Sequence, residues 1–169
     1  MWHAAEILCL ELSQHPWNKL LSGKDVLELG AGCGLCGFYA GKIGANRVCL
    51  TDFEDSLLQN LVKSSHLSGE GFRVEPYAYK PTRGSETNRE QQQQRVLQVA
   101  KLDWLDQQRG ENEVEMEVGD FPVLDPSDAY EIVIGSDLMY EMEPSVALAG
   151  VIQRHLSAEG TCLLAMKMR

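Results

Sequence analysis

Apolar and polar residues alternate along the chain in blocks that predict strands followed by helices. Short apolar runs that end at glycine or aspartate are typical of buried strands, and apolar residues at three- to four-residue spacing are typical of helices. The pattern predicts strands over 24–30, 47–52, 96–105, 130–137 and 160–168. It predicts helices over 2–14, 35–43, 53–67 and 144–156.

This alternation indicates an α/β fold with a doubly wound, Rossmann-like and mostly parallel sheet. Helices are expected on both faces, because parallel neighbours need crossover connections. The 169 residues suit a single domain over 1–169. Residues 81–95 are polar, include four consecutive glutamines and predict a mobile loop.

Composition narrows the possible partners. The formal net charge of −10 argues against nucleic acid, whose phosphates select basic surfaces, and favours a basic partner. No apolar run approaches the roughly 18 residues of a membrane span, so we expect no membrane partner. The N-terminus lacks a signal-peptide pattern, and the five cysteines suggest no disulfide framework. We therefore expect a location in the cytoplasm, with the nucleus as a second compartment.

The stretch Glu28-x-Gly30-x-Gly32-x-Gly34 lies at the turn between the first strand and the next helix. A dinucleotide fingerprint from Gly30 would place its third glycine at position 35, which is Leu35. A carboxylate at Glu28 would also oppose a pyrophosphate. It would suit the ammonium and sulfonium of S-adenosylmethionine, so the loop favours that cofactor.

Further polar residues follow the other predicted strands. Asp52 could bind two ribose hydroxyls, or it could cap the helix that begins at Phe53. Asp103 could bind an adenine amine, whereas Trp104 could cover the ring or be ordinary core. Ligands of parallel sheets sit at the carboxyl ends of the strands, so these residues and 136–140 are expected around one crevice.

The pair Cys33-x-x-Cys36 offers an alternative, because a helix N-terminus lowers the pKa of a thiol and would suit a thiol oxidoreductase. The interleaved glycines favour a cofactor loop over a redox turn. No second closely spaced pair of cysteines or histidines completes a zinc site, so we expect no metal.

Four motifs together resemble the seven-β-strand protein-lysine methyltransferases of methyltransferase family 16, which are class I enzymes that use S-adenosylmethionine. The motifs are "WHAAEILCLEL", "VLELGAGCGLCGFYAGKIGANRVCLTDF", "LDW" and "IVIGSDLMYE", whose Asp137-x-x-Tyr140 matches a family motif. The resemblance implies a transferase that methylates a lysine of a protein substrate and releases S-adenosylhomocysteine.

The resemblance also implies residue roles. Asp137 and Tyr140 would be catalytic and line the channel for the substrate lysine. The cofactor would be held by Trp2, Glu28, Gly30, Ala31, Gly32, Gly34, Asp52, Phe53, Asp103, Trp104 and Ser136. Relative to the family, the sheet is expected to lack its last two strands. A small-molecule amine methyltransferase of the same fold and a cofactor-binding module without catalysis are the alternatives, and no oligomeric state is predicted.

Overall fold

The computed structural model describes residues 3–67, 72–77, 95–105, 121–139 and 142–167. The helices are α1 (His3–Ser13), α2 (Trp17–Leu20), α3 (Leu35–Ile43), α4 (Asp55–Leu67) and α5 (Met142–His155). The strands are β1 (Asp25–Leu29), β2 (Arg47–Asp52), β3 (Phe72–Pro76), β4 (Arg95–Lys101), β5 (Tyr130–Ser136) and β6 (Leu156–Ala165). Over these ranges, no helix has the length and apolar character needed to cross a bilayer.

The strands form one sheet in the order β3-β4-β2-β1-β5-β6. Every neighbouring pair among the described strands runs parallel, from β1 against β2 to β5 against β6. All carboxyl ends therefore lie at one edge of the sheet. The predicted doubly wound, Rossmann-like α/β fold is confirmed.

The core has two layers because successive strand residues point to opposite faces of the sheet. In β1, Val26 belongs to one apolar cluster and Leu27 to the other. The first cluster joins the sheet to α1, α3 and α4 through Leu8, Leu12, Cys36, Ala40, Leu58 and Leu61. The second joins it to α5 and to the chain before β5 through Leu148, Val151 and Leu124. Helices thus cover both faces.

Several elements differ from the sequence-based prediction. The last strand, predicted over 160–168, begins at Leu156, a residue predicted to be helical, and α2 was not predicted. The pattern missed β3, a five-residue strand at the sheet edge that ends in a proline, a position typical of edge strands. The strand predicted over 96–105 ends earlier, because β4 stops at Lys101. Residues 81–94 of the predicted mobile loop lie outside the described residues, and Arg95 already belongs to β4.

A buried polar cluster fixes the amino ends of the strands. The Nε of Arg47 donates to Asp25 at 3.2 Å, and its guanidinium lies 4.8 Å from the centroid of the Tyr130 ring. Tyr77 donates its hydroxyl to Asp128 at 2.8 Å. The Arg47 contacts join the amino ends of β1, β2 and β5, and the Tyr77 contact ties the end of β3 to the chain before β5.

Gly37 lets α3 approach the sheet closely, and this predicts opposite effects of two glycine substitutions. A Cβ at position 37 would meet the side chain of Leu50 and lie 2.5 Å from Glu28 Oε2. A Cβ at Gly150, in the exposed middle of α5, would meet nothing within 4 Å. We expect Gly37→Ala to lower the free energy of unfolding by about 2 kcal/mol. Gly150→Ala should raise it by about 0.5–1 kcal/mol.

Urea denaturation of both variants measures the two shifts. Equal changes would contradict the close packing of α3, since both substitutions add the same methyl group to a helix.

Candidate functional site

The glycine loop between β1 and α3 occupies the carboxyl edge of the sheet. Gly30, Gly32 and Gly34 have φ angles of 55°, 54° and 75°, so all three adopt the left-handed conformation that favours glycine. The loop is tied to β2 by a 2.8 Å hydrogen bond from the Ala31 N–H to the Thr51 carbonyl. Gly34 begins α3 as its N-cap.

The three glycines differ in what surrounds them. A Cβ at Gly30 would lie 2.7 Å from Leu138 and 3.6 Å from the ring of Trp104, and one at Gly34 would lie 2.6 Å from Leu61. A Cβ at Gly32 would meet nothing within 4 Å. The loop is therefore packed at both ends and open at its centre, where a ligand can approach the backbone.

Asp52 connects the end of β2 to this loop. Its Oδ2 accepts a hydrogen bond from the Gly32 N–H at 3.0 Å. Its Oδ1 accepts from the N–H groups of Phe53 at 2.9 Å and Glu54 at 3.4 Å. Burial raises the pKa of Asp52, and these backbone hydrogen bonds oppose that shift. The side chain thus holds the loop and supports the chain that enters α4.

Glu28 lies beneath the loop and is only 2% exposed. Its Oε2 accepts a 2.8 Å hydrogen bond from the Gly37 N–H, in the first turn of α3. The positive end of a helix dipole stabilises a carboxylate there. Burial nevertheless dominates and raises the pKa of Glu28 to about 8.

This pKa predicts how stability depends on pH. The folded-state value of about 8 exceeds the reference value of 4.5, so the folded protein holds a proton that the unfolded chain releases. The resulting stabilisation is fully present below pH 4.5 and is lost as the pH rises towards 8. Glu28→Gln keeps an acceptor for Gly37 and cannot ionise. Denaturant unfolding should therefore show a shallower loss of stability between these pH values in Glu28→Gln than in the wild type, and parallel curves would contradict the assignment.

The residues after β4 and β2 complete one side of the crevice. Asp103 is partly exposed, and its Oδ1 accepts a 2.9 Å hydrogen bond from the Leu105 N–H. Trp104 is partly buried and reaches Gly30 of the loop, so its ring lies at the same edge. Phe53 is 56% exposed beside Asp52.

The turn after β5 faces the loop from the other side. Asp137 has a φ of 55°, which is uncommon for any residue with a Cβ. Its N–H donates to the Ala165 carbonyl at 2.8 Å, and Ser136 before it is partly buried. Leu138 is 5% exposed and fills the space beside Gly30 and Gly135. The sequence singled out Asp137 but gave no sign of its backbone conformation or of the contact made by Leu138.

The chain is similar in sequence to known methyltransferases. A family profile described as "Lysine methyltransferase" matches residues 1–74. Protein N-lysine methyltransferase METTL21A of Danio rerio is 31% identical over 171 residues, which cover 100% of this chain and 60% of that protein. The chain is thus similar to the lysine methyltransferases of methyltransferase family 16, and it spans 60% of the length of the METTL21A relative.

A second relative and a solved structure are similar to this chain in sequence and in fold, respectively. Protein N-terminal and lysine N-methyltransferase EFM7 of Yarrowia lipolytica is 39% identical over 62 residues, or 36% of this chain and 22% of that protein. The fold resembles phosphoethanolamine N-methyltransferase 1 of Haemonchus contortus, which was solved with phosphoethanolamine and S-adenosylhomocysteine. That match has a TM-score of 0.55 at 16% identity and covers 95% of this chain and 25% of the other.

The structure thus gathers most of the predicted site at the carboxyl edge of the sheet. The loop, Asp52, Trp104 and Leu138 are linked by contacts, and Phe53, Asp103, Ser136 and Asp137 lie at the ends of the adjoining strands. Trp2 and Tyr140 lie outside the described residues. No cluster of three or more histidine, cysteine, aspartate or glutamate side chains suited to a metal occurs in the part of the chain that the structure describes.

Proposed function

We propose that this chain is an S-adenosylmethionine-dependent methyltransferase that acts on a lysine side chain of a protein substrate. The main support is the open centre of the glycine loop at Gly32, held against Asp52 at the carboxyl edge of a parallel sheet. The similarity to lysine methyltransferases of family 16, and the activities that name the relatives METTL21A and EFM7, support the reaction type.

The residues at this edge fit the proposed cofactor. A positively charged ligand suits a loop that has Asp52 beside it and Glu28 beneath it, because a bound cation favours the ionised form of Glu28 over the protonated form that burial favours without it. S-adenosylmethionine supplies a methyl group on a sulfonium, with an ammonium on the same side of the molecule. The open backbone at Gly32 gives such a group room to approach.

Each residue has a proposed part in holding that cofactor. The methionine end is assigned to the glycine loop, with Glu28 beneath it, and binding of the cation would favour the ionised form of Glu28. The ribose is assigned to Asp52 with Phe53 beside it, and the adenine to Asp103 and Trp104. The full set is Trp2, Glu28, Gly30, Ala31, Gly32, Gly34, Asp52, Phe53, Asp103, Trp104 and Ser136.

The chain's part in the reaction is mainly alignment, because methyl transfer to an amine is an in-line displacement that needs no enzyme nucleophile. The lysine must be neutral to react. A free lysine has a pKa of about 10.4, so deprotonation at pH 7 costs about 4.6 kcal/mol. We assign Asp137 to orient the amine and accept its proton, and Tyr140 to line the channel.

The proposed substrate follows from the charge of the chain and from its similarity to lysine methyltransferases. The net charge of −10 complements a basic segment around the target lysine and opposes nucleic acid. We therefore propose a protein partner that meets the chain in the cytoplasm or the nucleus, with no nucleic acid and no membrane involved.

Labelling of a cell extract tests the proposed function. The chain is incubated with S-adenosylmethionine that carries a tritiated methyl group and with extract whose own methyltransferases have been inactivated by heat. We expect at least one discrete protein band whose acid hydrolysate contains labelled methyl-lysine. Label that appears only in small molecules would favour an amine methyltransferase, and no label despite cofactor binding would favour a non-catalytic module.

A further inference from the structure

The structure does not pair the two cysteines of the Cys33-x-x-Cys36 stretch with each other. Cys33 is exposed on the loop, whereas Cys36 is fully buried in the first turn of α3. The Cys36 thiol points away from the loop towards α1, where its sulfur lies 3.5 Å from the Ala5 carbonyl oxygen. The Cys36 side chain therefore packs against α1 and not against Cys33.

Cys9 of α1 makes the reciprocal contact. Its sulfur lies 3.8 Å from the carbonyl oxygen of Leu35, the residue before Cys36. Ala5, which the Cys36 thiol contacts, lies one helical turn before Cys9. Each thiol thus reaches the backbone beside the other between α1 and α3, and a hydrogen bond joins the two side chains.

The two thiols differ in exposure. Cys9 is partly exposed, and Cys36 is fully buried. A hydrogen bond from the Cys36 thiol lowers the pKa of Cys9, against the opposing effect of burial. Cys9 is therefore the sulfur that solvent-borne oxidants can reach, and Cys36 is placed behind it.

We propose that Cys9 and Cys36 are a reversible disulfide site that ties α1 to α3 when a hydroperoxide oxidises the protein. The bond would join the N-terminal helix to the helix that begins at the glycine loop. This inference concerns the chain's own thiols and does not depend on methyl transfer.

The chemistry balances with hydrogen peroxide as the oxidant. The Cys9 thiolate attacks one peroxide oxygen, the O–O bond breaks, and Cys9 sulfenic acid and hydroxide form. The Cys36 sulfur then attacks the Cys9 sulfur, so that the S–S bond forms as the S–O bond breaks. The departing oxygen and the thiol protons leave as water. Overall, two thiols and one peroxide give one disulfide and two waters.

Peptide mapping tests the proposal directly. The folded protein is treated with hydrogen peroxide, its remaining thiols are alkylated, and it is digested with trypsin without reduction. Cys9 lies in the tryptic peptide 1–19, and both Cys33 and Cys36 lie in 25–42. We expect these peptides to be linked, with fragmentation placing the bond at Cys36, and dithiothreitol should separate them.

The third nearby cysteine provides the matched control. Cys33→Ser should keep the cross-link, because it removes an exposed thiol from the same peptide, whereas Cys9→Ser should abolish it. Oxidation should also raise the thermal midpoint by about 5 °C in the wild type and in Cys33→Ser, but not in Cys9→Ser. A disulfide between Cys9 and Cys33 would overturn the proposal. So would oxidation of Cys9 to the sulfinic acid while the Cys36 thiol stays free and can still be alkylated.

Discussion

Replacing Asp137 with asparagine is expected to lower kcat for lysine methylation at least about a hundredfold, which is the usual contribution of a positioned acid or base. The affinity for S-adenosylhomocysteine should stay within a few-fold of the wild type. The reason is that Asp137 lies at the end of β5, across the crevice from Asp52 and the glycine loop, and is assigned to the substrate amine. Single-turnover rates on the protein substrate, with calorimetry for affinity, measure the two effects.

Asparagine is the informative substitution because of the backbone at this position. The φ of 55° is tolerated by aspartate and asparagine better than by other residues that carry a Cβ. Asp137→Asn therefore removes the charge with little strain, whereas Asp137→Ala adds strain to the loss of charge. If the asparagine variant lost cofactor affinity as steeply as turnover, Asp137 would be a cofactor or structural residue instead.

Replacing Gly32 with alanine is expected to weaken S-adenosylhomocysteine binding roughly thirty- to a hundredfold. The space around the new Cβ is open in the structure, so the methyl group would stand where we propose that the ligand approaches the loop. This loss of affinity corresponds to about 2–3 kcal/mol of binding free energy, which is typical of a methyl group forced into a closely packed contact.

Gly23 provides a control in a matching environment. It has a φ of 74° and, like Gly32, nothing within 4 Å of an added Cβ, but it precedes β1 at the opposite edge of the sheet. Alanine should therefore cost both positions similar stability through strain, about 1–2 kcal/mol. Calorimetry should show a loss of affinity in Gly32→Ala only. Similar affinities in the two variants would mean that the ligand does not contact the centre of the loop.

Local pattern was sufficient to predict most elements of this fold. The helix over 35–43 and the strand over 47–52 have the predicted bounds, because glycines flank the helix and a continuous apolar run forms the strand. The edge strand β3 was missed because its five residues, FRVEP, contain two charged residues and end in proline. No continuous apolar run therefore marks it as a strand.

The sequence predicted which residues lie at the candidate site, but it did not predict most of the contacts among them. The sequence left Asp52 open between a ribose ligand and a helix cap. The structure shows that Asp52 bonds both the chain entering α4 and the glycine loop, 20 residues away. The proximity of Leu138 to Gly30 and the reciprocal contacts of Cys9 and Cys36 also join distant segments. Such contacts depend on the packing of helices against the sheet, which no local pattern encodes.

Calorimetric titration of the folded chain with S-adenosylhomocysteine, and in parallel with NAD, tests whether the crevice at the carboxyl edge binds the cofactor of a methyltransferase. We expect micromolar affinity for S-adenosylhomocysteine and no binding of NAD. A chain that unfolds cooperatively but binds no S-adenosylhomocysteine, or that binds NAD instead, would contradict it.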